Sequence, residues 1–261
     1  MSFKRVLAVL QQEYYLTIHS METIFDVFIY SFISLFIFGF ISNYLVGGEN
    51  LTAARYLLLG LLLWEVVRIV QYSISMGSMW NIWSRNLSNM FIAPLSVIEY
   101  FTAHTLSGIA KAGLVLIIDA AITSIIFQFH FLDLGIMVVA YFLLLAWFGF
   151  STGIAIIGVI FRFGTRIQAF SWGIVPILQP LTAAFFPVSV LPKPLQALAW
   201  SFPTTYVFEA ARFQLDTGQV DWRLLIFAIL LNCVYVVAAV AIFSRLFQAS
   251  RDSGQFARNE T

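Results

Sequence analysis

Six stretches of mostly apolar residues, each about twenty residues or longer, alternate along the chain with short polar connections. A helix needs about 20 residues to cross the hydrocarbon core of a bilayer, and few soluble cores need even one such run. The pattern therefore predicts an all-α, polytopic membrane protein with a single transmembrane domain, 1–261. The six predicted transmembrane helices are Ile24–Val46, Tyr56–Met79, Ile98–Phe127, Leu134–Phe161, Ile167–Phe186 and Leu224–Phe247.

Residues 1–22 precede the first span and have a helical pattern of their own. Their apolar members recur at three- and four-residue steps, as Phe3, Val6, Leu7, Leu10, Tyr14, Ile18 and Met21. The spacing predicts an interfacial amphipathic helix whose apolar face lies at the acyl boundary of the membrane. Two roles remain open for it, a simple membrane-surface anchor or an anchor whose polar face also contacts a cytoplasmic partner.

Two connections stand apart by composition. Residues 80–97, between the second and third spans, form the most polar of the predicted cytoplasmic connections and contain Pro94. Six of the seven prolines lie between Pro176 and Pro203, which predicts a kinked fifth span ending near Pro187. The following residues are too apolar for a free loop, so segment 187–214 is predicted to be a re-entrant helical hairpin. The alternative is an amphipathic loop that lies flat on the membrane surface.

Composition and charge narrow the function classes. Hydrophobic residues make up 61% of the chain, charged residues 10%, and the mean hydropathy is +0.89. Six spans leave no room for a nucleotide-binding domain, and no GxxxxGK[ST] phosphate loop is present. We therefore expect no ATPase site or other enzyme activity in this chain. A net charge of +1 argues against nucleic acid as a partner, and Cys233 with three scattered histidines gives no metal site or catalytic triad.

The positive-inside rule orients the chain. With a cytoplasmic N-terminus, the inside segments carry eight basic residues, Lys4, Arg5, Arg85, Arg162, Arg166, Arg245, Arg251 and Arg258. The outside segments then carry four, Arg55, Lys193, Arg212 and Arg223. This excess predicts a multi-pass protein of the cytoplasmic (inner) membrane with both termini in the cytoplasm, including a short tail, 248–261.

Four charges lie in the interior of the second and third predicted spans. Glu65 and Arg68 are three residues apart in the second span and can pair, whereas Lys111 and Asp119 in the third span are too far apart to meet. Because an unpaired charge at bilayer depth costs at least about 2.5–3.5 kcal/mol, we expect the second and third spans to satisfy one another's charges. The network is either purely structural or part of a transport path.

Aromatic residues form a stripe on the first span, at Phe25, Phe28, Phe32 and Phe36. The stripe fits helix packing or lipid contact, and it also fits an aromatic wall along a translocation path, with Phe28 and Phe32 as its central members.

Several motifs together resemble one known family. Phe186-Pro187-Val188-Ser189, Leu191-Pro192 and Pro203-Thr204-Thr205-Tyr206, followed by Glu209 and Arg212, resemble the C-terminal signature of type-2 ABC transporter permeases. Asn86-Leu87, then Ala93-Pro94-Leu95-Ser96 and Glu99, is similar to the coupling-helix region of that family. The order of amphipathic leader, spans, coupling helix and re-entrant pair matches over essentially the whole chain.

The resemblance implies a specific division of labour. Such permeases dimerise, and each copy docks a separate cytoplasmic ATPase, which binds ATP and Mg, through the coupling helix; here that role falls to Arg85, Leu87 and Pro94. A path for substrate opens between the two copies, with an outer gate at Pro192, Pro203, Tyr206, Glu209 and Arg212. The chain itself would then bind no cofactor, and its partners would be the ATPase, a second copy and membrane lipid.

Two functions remain open. The first is the transmembrane subunit of an ATP-driven exporter of an amphipathic substrate, either a drug or a polysaccharide, lipo-oligosaccharide or lipid-linked glycan. The second is a self-sufficient secondary transporter or channel, in which the charged second and third spans and the broken fifth span form the path.

Overall fold

The structure, a computed structural model, describes residues 1–47 and 51–253, and within these ranges all side chains except those of Leu87, Ser88 and Phe91. Over this part the regular structure is entirely helical, which confirms the all-α prediction. The described α-helices are α1 (Phe3–His19), α2 (Met21–Ile24), α3 (Tyr30–Gly47), α4 (Leu51–Trp83), α5 (Leu87–Ile92), α6 (Val97–Ile126), α7 (Met137–Phe163), α8 (Phe170–Leu181), α9 (Lys193–Ala199), α10 (Pro203–Thr217) and α11 (Trp222–Asp252).

Within residues 1–47 and 51–253, five helical stretches are long and apolar enough to cross a membrane. They are Met21–Gly47, in which a π-helical turn joins α2 to α3, and the helices α4, α6, α7 and α11. They correspond to the first, second, third, fourth and sixth predicted spans. The chain is therefore a multi-pass membrane protein.

The predicted fifth span, 167–186, differs from the expectation. It contains α8, a helix of 12 residues, which is about 18 Å long at 1.5 Å per residue and shorter than a hydrocarbon core of about 30 Å. The helix contains Pro176 and Pro180 and ends before Ala183, whose φ of 52° is left-handed and cannot continue an α-helix. Helix length therefore confirms five of the six predicted spans, and the sixth crossing at 167–186 stays a prediction.

The long helix α4 is the centre of the bundle. It contacts α3, α6, α7, α8 and α10, and most of its residues are buried. A pair of glycines four residues apart brings α7 close to it: a Cβ atom on Gly149 would lie 2.9 Å from the Val67 carbonyl oxygen, and one on Gly153 would lie 2.9 Å from Ile74 Cβ. Small residues at this spacing allow two helices to approach within backbone contact.

One end of the bundle, which we call the basal end, holds both described ends of the chain. The backbone amide of Ser2 donates to Glu99 at the start of α6, at 2.5 Å. The Phe101 ring meets the Phe243 ring of α11 edge-on, with centroids 5.0 Å apart. The loop between α4 and α6 belongs to this end. The predicted tail, 248–261, begins as the last turn of α11, and residues 254–261 lie outside the described residues.

The opposite, distal end is closed by α10. Tyr141 at the start of α7 donates to the side chain of Gln214 at 2.7 Å, and Arg55 at the start of α4 donates to the Leu215 carbonyl at 3.3 Å. The helix also reaches into the bundle, since the Phe208 ring lies 6.1 Å from the Trp64 ring on α4.

Candidate functional site

The ion pair predicted within α4 is present and is completed by the first span. Arg68 Nε donates to Glu65 Oε2 at 2.9 Å, and Ser31 Oγ donates to the same carboxylate oxygen at 2.7 Å. Arg68 Nη1 donates to the backbone carbonyl of Asp26 at 2.7 Å. That carbonyl belongs to the π-helical turn Phe25–Ile29, and such turns are frequent at functional sites because they change the backbone hydrogen-bonding pattern.

The expectation that the second and third spans satisfy one another's charges is wrong. Lys111 Nζ lies 3.3 Å from Glu13 Oε2, so its partner comes from α1. Asp119 is 1% exposed, and among the described residues its Oδ1 atom has no hydrogen-bond partner. The reason is that α1 packs along α6 and places a carboxylate at the level of Lys111, a contact that spacing within the spans cannot predict.

Glu13 is the centre of a polar cluster where α1, α4 and α6 meet. It is 3% exposed, and His104 Nδ1 lies 3.3 Å from its Oε1. Burial raises the pKa of the Glu13 carboxyl, but His104 and Lys111 together lower it by more, so that the pKa falls to about 2. Gly77 of α4 makes room for the cluster, because a Cβ atom there would lie 2.5 Å from His104 Nδ1.

Most of the apolar face predicted for the leader points away from the protein, but Val6 of that face is buried and Leu10 packs beside it against the bundle. Phe3 and Tyr14 are 76% and 61% exposed, whereas Val6, Val9 and Glu13 are buried against the bundle. An exposed apolar face suits a helix at the membrane interface. Sequence reasoning assigned Val6 to the membrane face and missed Val9 and Glu13, although Glu13 stands four residues after Val9 and seven after Val6, in register with them.

A cavity of about 660 Å³ opens between the start of the first span, the basal half of α4 and α8. Its volume lies within the ordinary range for small-molecule sites. The described aromatic residues that line it are Tyr30, Tyr72, Trp80, Trp83 and Trp172, and the charged ones are Glu22, Asp26 and Arg68. A larger groove of about 1000 Å³ between α6, α7 and α11 is mainly apolar and contains none of the predicted site residues.

The predicted aromatic pair of the first span does not line this cavity. Phe28 and Phe32 are both half-buried, and Phe28 packs against the main hydrophobic core. Tyr30 contributes the first span's aromatic ring instead. The π-helical turn changes the angular position of the residues that follow it, which a stripe drawn at regular α-helical spacing cannot anticipate.

The predicted coupling region is an exposed basal loop with a short helix. The second span continues as α4 to Trp83, and the amides of Arg85 and Asn86 donate to the Ile82 and Asn81 carbonyls at 2.9 and 3.0 Å. This pattern is a Schellman motif with Arg85, at φ 56°, in the left-handed position that glycine usually occupies.

Beyond the turn, the short helix α5 presents exposed side chains. Ile92 is 82% exposed, and Pro94, which follows the helix end, is exposed as well. Leu87 is the first residue of α5, and its side chain lies outside the described part of the structure.

The far end of this loop is fixed to two elements. Ser96 and Glu99 form a capping box at the start of α6. Glu99 also accepts a hydrogen bond from Arg5 of α1 at 3.4 Å. The loop is thus connected to α4 by a helix cap, and to α6 and α1 by the Glu99 carboxylate.

The predicted outer-gate residues lie at the distal end, where Glu209 and Arg212 pair at 3.0 Å. Arg212 is 2% exposed and donates to the carbonyls of Ala183 and Ala184 at 3.0 and 3.2 Å. Glu209 accepts from the Val188 amide at 2.8 Å. The pair therefore holds the chain just after α8, including the left-handed Ala183.

The other three residues of this group occupy separate positions. Pro192 precedes α9, and Pro203 is the buried first residue of α10, a position where proline costs no hydrogen bond. The Tyr206 ring lies 4.8 Å from that of Trp200 and stacks on Phe227 at 5.7 Å. The structure brings Glu209 and Arg212 into direct contact, and the prolines and Tyr206 shape the hairpin around them.

Neither a metal site nor a similarity to known proteins assigns a function to the chain. Within residues 1–47 and 51–253, no group of three or more His, Cys, Asp or Glu residues could hold a metal ion. Comparison with known families found no family model that matches the chain, and comparison with curated proteins found no match either. Function must therefore be inferred from the geometry.

Proposed function

We propose that the chain is the transmembrane subunit of an ATP-driven exporter of the type-2 ABC permease kind, which docks a separate cytoplasmic ATPase. The observation that carries the proposal is the basal loop. A short helix between two spans presents an isoleucine, Ile92, that is 82% exposed, together with an exposed arginine in a left-handed backbone conformation. Backbone strain of about 1–3 kcal/mol persists where the surrounding structure requires it, and functional sites are where it concentrates.

The connections of this loop suit a mechanical role. A conformational change can be driven by a ligand only if the ligand favours one of two states. ATP binding to the partner would supply that preference, and displacement of α5 would pass directly to α4 through the Schellman motif and to α6 through Glu99. Since α4 contacts most of the bundle, a shift of its basal end would change the cavity between α4 and α8.

A sixth crossing and a re-entrant hairpin belong to this proposal. We assign the crossing to α8 together with the segment that follows it, and the hairpin to α9 and α10. Support comes from the burial of Thr204, Thr205 and Phe208 in α10, which an exposed surface loop would not need. The distal end would then face outward and both chain termini would lie in the cytoplasm, in the inner membrane of the cell.

The proposal also requires that the chain pairs with a second copy of itself. Several aromatic side chains of the first span are exposed, among them Phe25 at 52%, Tyr30 at 47% and Phe40 at 62%. The cavity opens beside this surface. A second copy against the first span and α8 would convert the open cavity into a path between two subunits, through which an amphipathic substrate could cross.

One observation favours a second candidate function, an ion-coupled secondary transporter. Asp119 is a carboxylic acid at 1% exposure whose Oδ1 atom has no hydrogen-bond partner among the described residues. Acidic residues within membrane spans mark proton or ion pathways in many transporters. In that case uptake or efflux in ATP-free proteoliposomes would follow an imposed pH gradient and would be lost in Asp119→Asn.

The exporter proposal is tested by photo-crosslinking at the basal loop. The photoreactive residue p-benzoylphenylalanine replaces Ile92 in one sample and Leu132, which is 72% exposed at the distal end, in a control. In the native host we expect Ile92 to crosslink to a polypeptide that contains a Walker A motif, and Leu132 to give no such product. Crosslinks from Ile92 to lipid only, or ATPase crosslinks of equal yield from Leu132, would remove the basis of the proposal.

A further inference from the structure

The cavity between the first span, α4 and α8 has a charge balance that selects its ligand. Of the described residues that line it, Arg68 has the one cationic side chain. Its guanidinium is already engaged, with Nε and Nη2 on Glu65, Nη2 on Ser31 and Nη1 on the Asp26 carbonyl. Glu65 neutralises this charge inside the bundle, so Arg68 offers little to an anion in the cavity.

The charges that remain on the lining are negative. Glu22 is exposed at the rim, and Asp26 is half-buried beside it. The Tyr72 hydroxyl donates to Asp26 Oδ2 at 2.8 Å, which fixes the carboxylate without neutralising it. A half-buried carboxylate is screened less by solvent than a surface one, so it attracts an opposite charge more strongly.

Aromatic rings form much of the rest of the surface. Trp80 and Trp83 are packed edge-to-face with centroids 5.2 Å apart, and Trp172 on the facing helix α8 is 48% exposed. The negative face of an aromatic ring attracts a cation within about 6 Å, and tryptophan is the strongest such ring. Carboxylates and indole faces together are the chemistry that binds organic cations with large apolar groups.

We propose that this cavity binds an organic cation with bulky apolar substituents, held by Asp26 and the tryptophan rings. The assignment rests on the proposed function in one respect only, namely that such a cation would be the exported substrate. A phosphate-linked lipid or another anion is disfavoured, because it would meet two carboxylates with Arg68 already engaged. A neutral oligosaccharide could stack on the rings, but it would gain nothing from the Asp26 charge.

A pair of ions of equal shape and opposite charge tests the proposal. Tetraphenylphosphonium and tetraphenylborate are equilibrated with the full-length chain in phosphatidylcholine nanodiscs, and binding to empty nanodiscs is subtracted. We expect saturable binding of the cation, competed by excess unlabelled cation, and no saturable binding of the anion. Maltohexaose serves as the neutral probe and should not compete.

Variants locate the site. Asp26→Asn keeps an acceptor for Tyr72 and leaves the backbone carbonyl that Arg68 uses, so the fold should persist while affinity for the cation falls by about tenfold, the equivalent of one lost contact of ~1.4 kcal/mol. Trp172→Ala should weaken binding similarly. The matched controls are Asp133→Asn, an exposed carboxylate at the distal end, and Trp222→Ala, a tryptophan that is 60% exposed, and both should bind like the unmodified chain.

Three results would overturn the inference. These are saturable binding of the anion in place of the cation, displacement by maltohexaose, or equal cation affinity in the unmodified chain and Asp26→Asn. None of them affects the crosslink at Ile92, so failure of the ligand assignment is distinguishable from failure of the proposed function.

Discussion

The contact between α1 and the bundle depends on one buried carboxylate, and its removal gives a quantitative prediction. Glu13→Gln retains the size and shape of the side chain but removes the charge that faces Lys111 and His104, each at 3.3 Å. Lys111, whose side chain is 10% exposed, would then lose its anionic partner. Breaking a buried pair from one side costs about 3–5 kcal/mol.

The lowered pKa of Glu13 expresses the same contacts as a second magnitude. Its fall from the ordinary value of 4.5 to about 2 corresponds to about 3 kcal/mol of stabilisation of the docked helix. Because the pKa is lower in the docked state, this stabilisation is complete above about pH 4.5 and is lost as the pH falls toward 2. A loss of this size predicts local release of α1 rather than global unfolding, since Glu13 belongs to α1 alone.

Hydrogen exchange followed by mass spectrometry measures this release. A loss of about 3 kcal/mol should lower the protection of the α1 amides by about 100-fold at pH 7 in Glu13→Gln. In the unmodified chain, protection corrected for the intrinsic rate should fall between pH 4.5 and 3, and the variant should show no such fall. Glu22→Gln is the matched control, an exposed acid in α2 that should change protection by less than about threefold.

A double variant separates charge from packing. Glu13→Leu with Lys111→Met removes both members of the pair and leaves apolar groups of similar size, which should restore protection to within about tenfold of the unmodified chain. The reasoning is refuted if Glu13→Gln leaves α1 protection within threefold of the unmodified chain, or if the acid-dependent loss persists in that variant.

Three further predictions concern the distal end. Arg212→Lys should lower the free energy of unfolding by about 2–4 kcal/mol, because an ammonium cannot reproduce the forked contacts to the carbonyls of Ala183 and Ala184. Equal thermal midpoints for Arg212→Lys and the unmodified chain would show that Arg212 does not hold this turn. Ala183→Gly should raise the free energy of unfolding by about 0.5–1 kcal/mol, because glycine adopts the left-handed conformation without strain. Gly60→Ala should lower the free energy of unfolding by about 1–3 kcal/mol, because its Cβ would overlap the Ala184 carbonyl. The matched control, Gly173→Ala, places its Cβ in open space and should not lower stability. Similar losses of stability in both variants would show that Gly60 is not required for the close approach to Ala184.

Five of the spans were predictable from the sequence because a helix that crosses a bilayer needs about 20 consecutive apolar residues, and such runs are visible in the sequence. The fifth predicted span is not among the confirmed ones, for a local reason. Its apolar run is long enough, but Pro176 and Pro180 and the left-handed Ala183 restrict the helix to 12 residues. Apolar content reports burial or lipid exposure, and it does not report whether the backbone is continuous.

Contacts within one helix were predictable, and contacts between elements were not. Glu65 with Arg68, and Glu209 with Arg212, follow from a spacing of three residues on a helix. The pairing of Lys111 with Glu13 joins residues 98 positions apart, and depends on where α1 lies along α6. The cavity's aromatic lining combines three separate stretches of the chain, which no single periodic pattern connects.

In the proposed function, this chain is a permease and ATP hydrolysis resides in a separate subunit docked at the basal loop. The direct measurement is vanadate-sensitive ATP hydrolysis by the purified chain, alone and together with the ATPase that crosslinks to Ile92. We expect no hydrolysis from the chain alone and vanadate-sensitive hydrolysis from the complex. Arg85→Glu should lower the activity of the complex. Arg85→Gly should lower it less, because glycine fits the left-handed turn. Hydrolysis by the chain in a preparation that mass spectrometry shows to be free of ATPases, or a complex insensitive to Arg85→Glu, would contradict the account.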